Sequence, residues 1–151
     1  MATFTHGTRF AHSPNGWTDG ELALQWMVDD FDAQTVVKAN GDPRALFLDG
    51  HSSHYTPELL QYAQESNITI LAYPPHCTHV LQGLDVVCFT RMKHAWNDEV
   101  EHYEEEHDHG INKTDFATVF GATFRTAFIE ETVHSAFCAT GLVPFNPGII
   151  I

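Results

Sequence analysis

The stretch "RALFLDGHSSHYTPELLQYAQESNITILAYPP", residues 44–75, decides how this chain folds. Four apolar residues, Ala45 to Leu48, lead straight to a carboxylate, Asp49, after which the chain turns at once through Gly50, His51, Ser52, Ser53 and His54. A run that is apolar at every position is the pattern of a strand buried on both faces. Thr56 is placed to cap a helix, with Pro57 at its first position and Glu58 in its first turn, and the helix runs through "ELLQYAQES". Asn67 closes it, and "ITILAYP", rich in β-branched and apolar residues, forms a second strand that Pro74 and Pro75 end. Such a strand, helix, strand unit sets its strands parallel with a right-handed crossover, so their carboxyl ends share one edge of the sheet.

Upstream, "SPNGW" is a turn signal, and Thr18 or Asp19 caps a helix in which Leu22, Trp26, Met27 and Phe31 supply an apolar side and Asp29, Asp30 and Asp32 a polar one. "KANGDPR" then makes a loop before the first strand. Downstream, "HCTHVLQG" reads as a connector. A long helix begins at Leu84, with Leu84, Cys88, Met92, Trp96, Val100 and Tyr103 along one face and Asp85 in its first turn. Two further helical patterns, "KTDFATVFGATFRTAF" and "IEETVHSAFCATG", complete the chain, the second ended by Gly141. No repeat or low-complexity segment interrupts it.

With 151 residues and 43% apolar side chains, the chain is long enough for one domain with a sizeable core. Its net charge of -13, with only seven Lys and Arg, argues against a free-standing electrostatic grip on phosphates. Much of that charge sits in "NDEVEHYEEEHDHG", residues 97–110, the pattern of a solvated helix face. Cys77, Cys88 and Cys138 are odd in number and far apart, which favours a reducing compartment over a disulfide framework. No segment has the apolar core of a signal peptide, and none approaches ~18 apolar residues, so a soluble, intracellular protein without a membrane partner is expected.

The chemistry suggested by this layout is acidic. Asp49 closes one strand, and Asp85 opens a helix just after the next, so both are expected at one sheet edge, where open α/β sheets bind their ligands. Paired carboxylates repel, and a hard divalent cation such as Mg²⁺ or Mn²⁺ relieves the repulsion through oxygen coordination. Asp49 taken alone is equally well read as a turn residue.

"LFLDGHSSHYTPELLQYAQESNITILAYPPHCTHVLQGLDVVCFTRMK" resembles the catalytic core of the pogo and Tigger-like DDE transposases, particularly those of fungi. "GWTDGELALQWMVDDF" before it and "AFCATGLVPFNP" after it resemble flanking segments of the same proteins, so the likeness runs from about Ser13 to Pro147. The resemblance implies a truncated RNase H-like fold, its parallel strand, helix, strand core succeeded by C-terminal helices. It implies one partial catalytic domain over residues 1–151, with the core part at 13–96 and a C-terminal helical part at 97–151. Asp49 then matches the second catalytic acid and metal ligand of the triad, and Asp85 the third. The first, which in the family stands on an earlier strand, is not found, because Asp19, Asp29, Asp30, Asp32 and Asp42 do not follow an apolar strand.

The same likeness implies a transposable-element endonuclease of the DDE superfamily, nuclear and metal-dependent, cutting DNA by two-metal phosphoryl transfer. With two acids instead of three, the chain alone is expected to be inactive. A non-catalytic, transposase-derived nucleic-acid-binding or protein-interaction module is the alternative. His54 and His79 are candidates to orient a carboxylate or a metal's water, and Arg91 and Lys93 to contact DNA phosphates. The spacing of His51, His54, His76, Cys77 and His79 matches no structural zinc site. Ser52 and Ser53 lack the strand–turn–helix setting of a nucleophile elbow. Two strands alone would leave an unpaired sheet edge, which predicts weak stability or homo-oligomer formation.

Overall fold

The computed structural model describes residues 11–149, and these divide into two compact units, one within Phe10–His76 and the other within Cys77–Ile151. The first unit is built on the expected strand, helix, strand core. Helix α1 (Gly20–Trp26) starts at Asp19, whose Oδ1 accepts a hydrogen bond from the Leu22 amide at 2.9 Å, satisfying one of the free donors of a helix start. The helical path widens into a π-helical stretch over Met27–Asp32 and returns to α geometry as α2 (Ala33–Ala39), which Asn40 ends in the left-handed conformation. Strand β1 (Arg44–Leu48) leads to a 3₁₀ turn (Ser52–Tyr55), helix α3 (Pro57–Glu65) and strand β2 (Ile68–Ala72).

The two strands pair in parallel, Leu46 opposite Ile70 and Leu48 opposite Ala72. Thr56 Oγ1 accepts from the Leu59 amide as the predicted cap of α3, and Asn67, at φ 56°, reverses the chain into β2. Alternation along the strands sends Leu46, Ile68 and Ile70 to one side, where they pack with Ala23, Met27, Leu59 and Ala63 from the helices. Met27 and Leu59 are almost fully buried, and full burial of a side chain of this size stabilises by about 1.5–3 kcal/mol. Gly20 lets α1 approach α3, since a Cβ there would meet the Thr56 methyl at 2.6 Å.

The expectation that β1 is buried on both faces is not met. Ala45 and Leu71 are exposed, and on the side away from the helices Phe47 and Tyr73 stack on each other with ring centroids 6.0 Å apart. An all-apolar run cannot distinguish a sheet covered twice from one covered once, because its outward residues look the same in either case.

The amino-terminal end of β1 is held by a polar network that the hydrophobic pattern does not reveal. Arg44 Nη1 donates to Asp32 Oδ1 and, at 3.0 Å, to Thr35 Oγ1, while its Nη2 donates to the Ser66 carbonyl. The Tyr62 hydroxyl donates to the other Asp32 oxygen at 2.8 Å. One guanidinium thus ties the π-helical stretch, α2, β1 and the end of α3 together. Its side chain is 10% exposed and that of Asp32 20%, so water screens the pair only partly.

The second unit is helical. Helix α4 (Thr78–Leu81) occupies the expected connector, a π-helical stretch spans Leu84–Cys88, and α5 (Phe89–His107) continues from it until Asp108 turns left-handed. Helices α6 (Phe116–Ala127) and α7 (Glu130–Ala139) form as the sequence predicts, with Gly141 at φ 68° after the second. Helix α6 packs along α5, and α7 packs on the Leu84–Cys88 stretch. Gly83 makes that second contact possible, because a Cβ would meet the Ala136 Cβ and carbonyl oxygen at 3.0 Å.

The Arg44 network has a pH signature. Its hydrogen bonds, led by those from Arg44 and Tyr62, hold the Asp32 carboxyl below the ordinary carboxylate pKa. A depressed pKa adds stability that is complete above the unfolded value of about 3.9 and is lost as the pH falls through the folded value. Urea unfolding at neutral pH is expected to show Asp32→Asn and Arg44→Ala less stable than wild type by about 1.5–3 kcal/mol, the range for hydrogen bonds to charged groups. The Asp32→Asn deficit shrinks as the pH is lowered past about 3.9. A deficit constant with pH would mean that the carboxylate charge does not contribute.

Candidate functional site

Asp49 is the residue at which β1 stops. Its Oδ1 accepts a hydrogen bond from the His51 amide at 3.0 Å, a turn closed by the side chain itself, and its carbonyl accepts one from the Tyr55 hydroxyl at 2.6 Å. The carboxylate is therefore oriented from below by a strand and from the side by a 3₁₀ turn. His54 Nδ1 lies 3.0 Å from the same Oδ1, but off the direction a hydrogen bond requires, so this nitrogen is buried without a bonded partner. The His51 ring instead meets the Ser53 hydroxyl at 2.8 Å. Ser53 is buried and committed to this contact, as suits a turn serine.

Of the sequence-predicted residues in this unit, Asp49 and His54 are thus brought together. Tyr55 is a contributor that sequence reasoning does not find. The signal for it is slight: a hydroxyl six positions after the strand end, where a short turn can fold back. Burial, and after it the Asp49 carboxylate, push the Tyr55 phenol above its ordinary pKa. Asp49 keeps 40% of its side chain open, which leaves a hard oxygen face accessible to a cation.

Beside this turn lies a cleft of about 580 Å³, walled by Trp17, Leu22, Trp26, Met27, Leu48 and His54. It begins one residue before Asp49. Among the described residues, no Lys, Arg, Asp or Glu lines it.

In the helical unit, Asp85 lies in the first turn of the Leu84–Cys88 stretch, exposed, its amide bonded to the Gln82 carbonyl at 3.0 Å. A π-helical stretch adds a residue to the turn, and such stretches recur at functional positions. Asp85 and Lys93 line one groove of about 720 Å³, whose floor is Phe89, Met92, Trp96 and Phe116. Lys93 is exposed. Arg91 reaches the buried Thr132 hydroxyl at 3.5 Å, a long contact, so a mainly structural use of this guanidinium competes with any phosphate contact. His79 is exposed on α4. Burial pushes the Cys88 thiol up, against the pull of Arg91, which keeps this cysteine an inert core residue.

Asp49 and Asp85 each sit on a well-formed element, the one at a strand end and the other at a helix start. Among the described residues, no group of three or more His, Cys, Asp and Glu side chains lies together as a ready metal cage. As carboxylates with open faces, both have the oxygen chemistry of Mg²⁺ or Mn²⁺ ligands.

A family model described as DDE superfamily endonuclease matches residues 2–137. A curated protein from Cochliobolus lunatus, named as an MFS-type transporter, is 38% identical over 141 residues. That alignment takes in 93% of this chain but 15% of the relative, so the chain spans a small part of the relative's length. Among the described residues, no helix is long and apolar enough to cross a membrane. No solved structure matches the chain.

The coupling of Tyr55 to Asp49 gives a direct check on the strand end. Following the Tyr55 ring carbons by NMR through alkaline titration, Asp49→Asn is expected to lower the phenol pKa while leaving it above the ordinary value, because burial persists. An unchanged pKa would show that the carboxylate does not face this ring.

Proposed function

Because the chain belongs to the DDE superfamily endonucleases, we propose that it is the part of an RNase H-like catalytic domain that supplies Asp49 and Asp85, the second and third acids of a metal-dependent phosphoryl-transfer site acting on DNA. The observation that carries the reading is the parallel β1–α3–β2 unit with a carboxylate at the end of β1, rigidly turned by the His51 amide and the Tyr55 hydroxyl. Rigid elements hold reacting groups with less positional freedom than loops do.

In this proposal Asp49 and Asp85 hold Mg²⁺ or Mn²⁺, with His54 beside the Asp49 carboxylate. A divalent ion bound there supplies stabilisation of the negative charge that builds on a phosphodiester during in-line displacement. The protein's own part is to present two carboxylates and, through Lys93, one cationic group in the same groove as Asp85 for a phosphate oxygen. Its charge of -13 leaves the rest of the surface poorly suited to a long DNA contact. With two acids in place, this chain by itself cuts DNA weakly or not at all, and a nuclear location and homo-oligomer formation accord with the family pattern. If metal binding fails while the chain still associates with nucleic acid or protein, the non-catalytic reading replaces this one. The transporter name belongs to the Cochliobolus lunatus protein, of which the matched segment is 15%.

Thermal unfolding with and without Mn²⁺ tests the metal site. At an ion concentration about a hundredfold above Kd, binding stabilises by about 2.7 kcal/mol, which raises the Tm of a chain of this length by several degrees. Asp49→Asn and Asp85→Asn are each expected to lose most of that shift, and Glu104→Gln, in the acidic run, to keep it. Equal shifts in all four proteins would remove the Asp49–Asp85 site.

A further inference from the structure

The cleft beside Asp49 has a composition that the acid chemistry does not use. Two of the protein's three tryptophans, Trp17 and Trp26, form its walls, with Leu22, Met27 and Leu48 beneath and His54 at the end nearest the carboxylate. Trp17 is 74% exposed, an unusual place for so large an apolar ring. It is nonetheless held firmly. The Trp17 amide donates to Asn15 Oδ1 at 3.0 Å, the Ser13 hydroxyl lies 2.6 Å from the Trp17 carbonyl and 2.9 Å from Asn15 Oδ1, and the Gly16 amide closes the turn onto the Ser13 carbonyl. A turn whose polar groups are spent on one another thus presents a bare indole to a cleft.

We infer that this cleft takes one unpaired base of the DNA strand, stacked against Trp17 and Trp26 with its sugar-phosphate leading past His54 to Asp49. The inference rests on the DDE reading of Asp49 and goes beyond it by naming what positions the strand. Three features select a base over other occupants. Among the described residues the walls are mainly aromatic and aliphatic, with His12, Ser13, Thr18 and His54 as polar members and no Lys, Arg, Asp or Glu, so the cleft suits a flat uncharged ring and offers little grip for phosphate. Its volume of about 580 Å³ is of the size that encloses a small ring system. It is continuous with the site, since Leu48 and His54 belong to both, which places the occupant within a nucleotide of the carboxylate. Stacking on aromatic side chains is also the mode of contact open to a strongly acidic protein, because it needs no basic surface.

Fluorescence anisotropy of a labelled short oligothymidine, in low salt with Mg²⁺, tests this on the whole chain. Wild type is expected to bind, Trp17→Ala to bind at least about tenfold more weakly, as loss of one stacked base implies, and Trp17→Phe to retain most of the affinity. An abasic oligonucleotide of equal length should bind wild type as weakly as the normal strand binds Trp17→Ala. Trp17 is on the surface, so its removal leaves the fold intact, as circular dichroism will confirm. Equal binding by wild type, Trp17→Ala and Trp26→Ala, equal binding of the abasic strand, or no binding at all would each overturn the inference. So would dissociation of a dimer by Trp17→Ala in sedimentation without DNA, which would assign the cleft to self-association. Mn²⁺-dependent melting, which involves neither tryptophan, then shows independently whether the reading of Asp49 survives.

Discussion

The parallel pairing of β1 with β2 is the constraint on which the first unit depends. A parallel pair must be joined by a crossover, and here the crossover is α3, whose Leu59 and Ala63 press the sheet's inner face together with Met27. The same geometry dictates where each strand ends. At the start of β1, Arg44 binds Asp32, Thr35 and the Ser66 carbonyl, which anchors the strand lengthwise. At the far end the chain leaves the sheet at Asp49, and the turn beyond it bonds back to both its side chain and its carbonyl. The strand is therefore pinned at both ends, and the carboxylate inherits that rigidity.

Much of this is legible in the residues. Asp19, Thr56, Pro57 and Asn67 are local signals whose physics is complete within a few positions, and each does in the structure what its chemistry suggests. Features that depend on neighbours distant in sequence are not legible. The Asp32–Arg44 pair spans twelve positions and the Asp32–Tyr62 bond thirty, so neither shows in periodicity. The open outer face of the sheet is hidden for the same reason, since Phe47 and Leu71 are apolar whether or not something covers them. The π-helical stretches at Met27–Asp32 and Leu84–Cys88 look like plain helix in the sequence, because one extra residue in a turn blurs a spacing of four without breaking it. Of the proposed site, family likeness names Asp49 and Asp85, while Tyr55 and the tryptophan cleft emerge only from the fold.

The two units contribute different kinds of surface. The first offers a carboxylate flanked by histidine and an uncharged aromatic cleft, and the second an exposed Asp85 with Lys93 above a floor of Phe89, Met92, Trp96 and Phe116. Neither resembles the broad basic face of a protein that holds duplex DNA by charge. The dense carboxylates of α5, among them Glu101, Glu104, Glu105 and Glu106, act against such a contact and confine favourable interaction with a phosphodiester to places where a cation intervenes. In the proposed function, a segment of this composition would rely on metal and on stacking more than on surface charge.

The proposal that Asp49 and Asp85 are metal ligands is tested most directly by paramagnetic broadening of backbone amide NMR signals at substoichiometric Mn²⁺. If both are ligands, the amides of Gly50, His51 and Val86 broaden, and Asp49→Asn and Asp85→Asn each abolish the effect at their own position. Broadening at only one of the two aspartates, or confined to the acidic run from Glu101 to Glu106, would contradict the proposal.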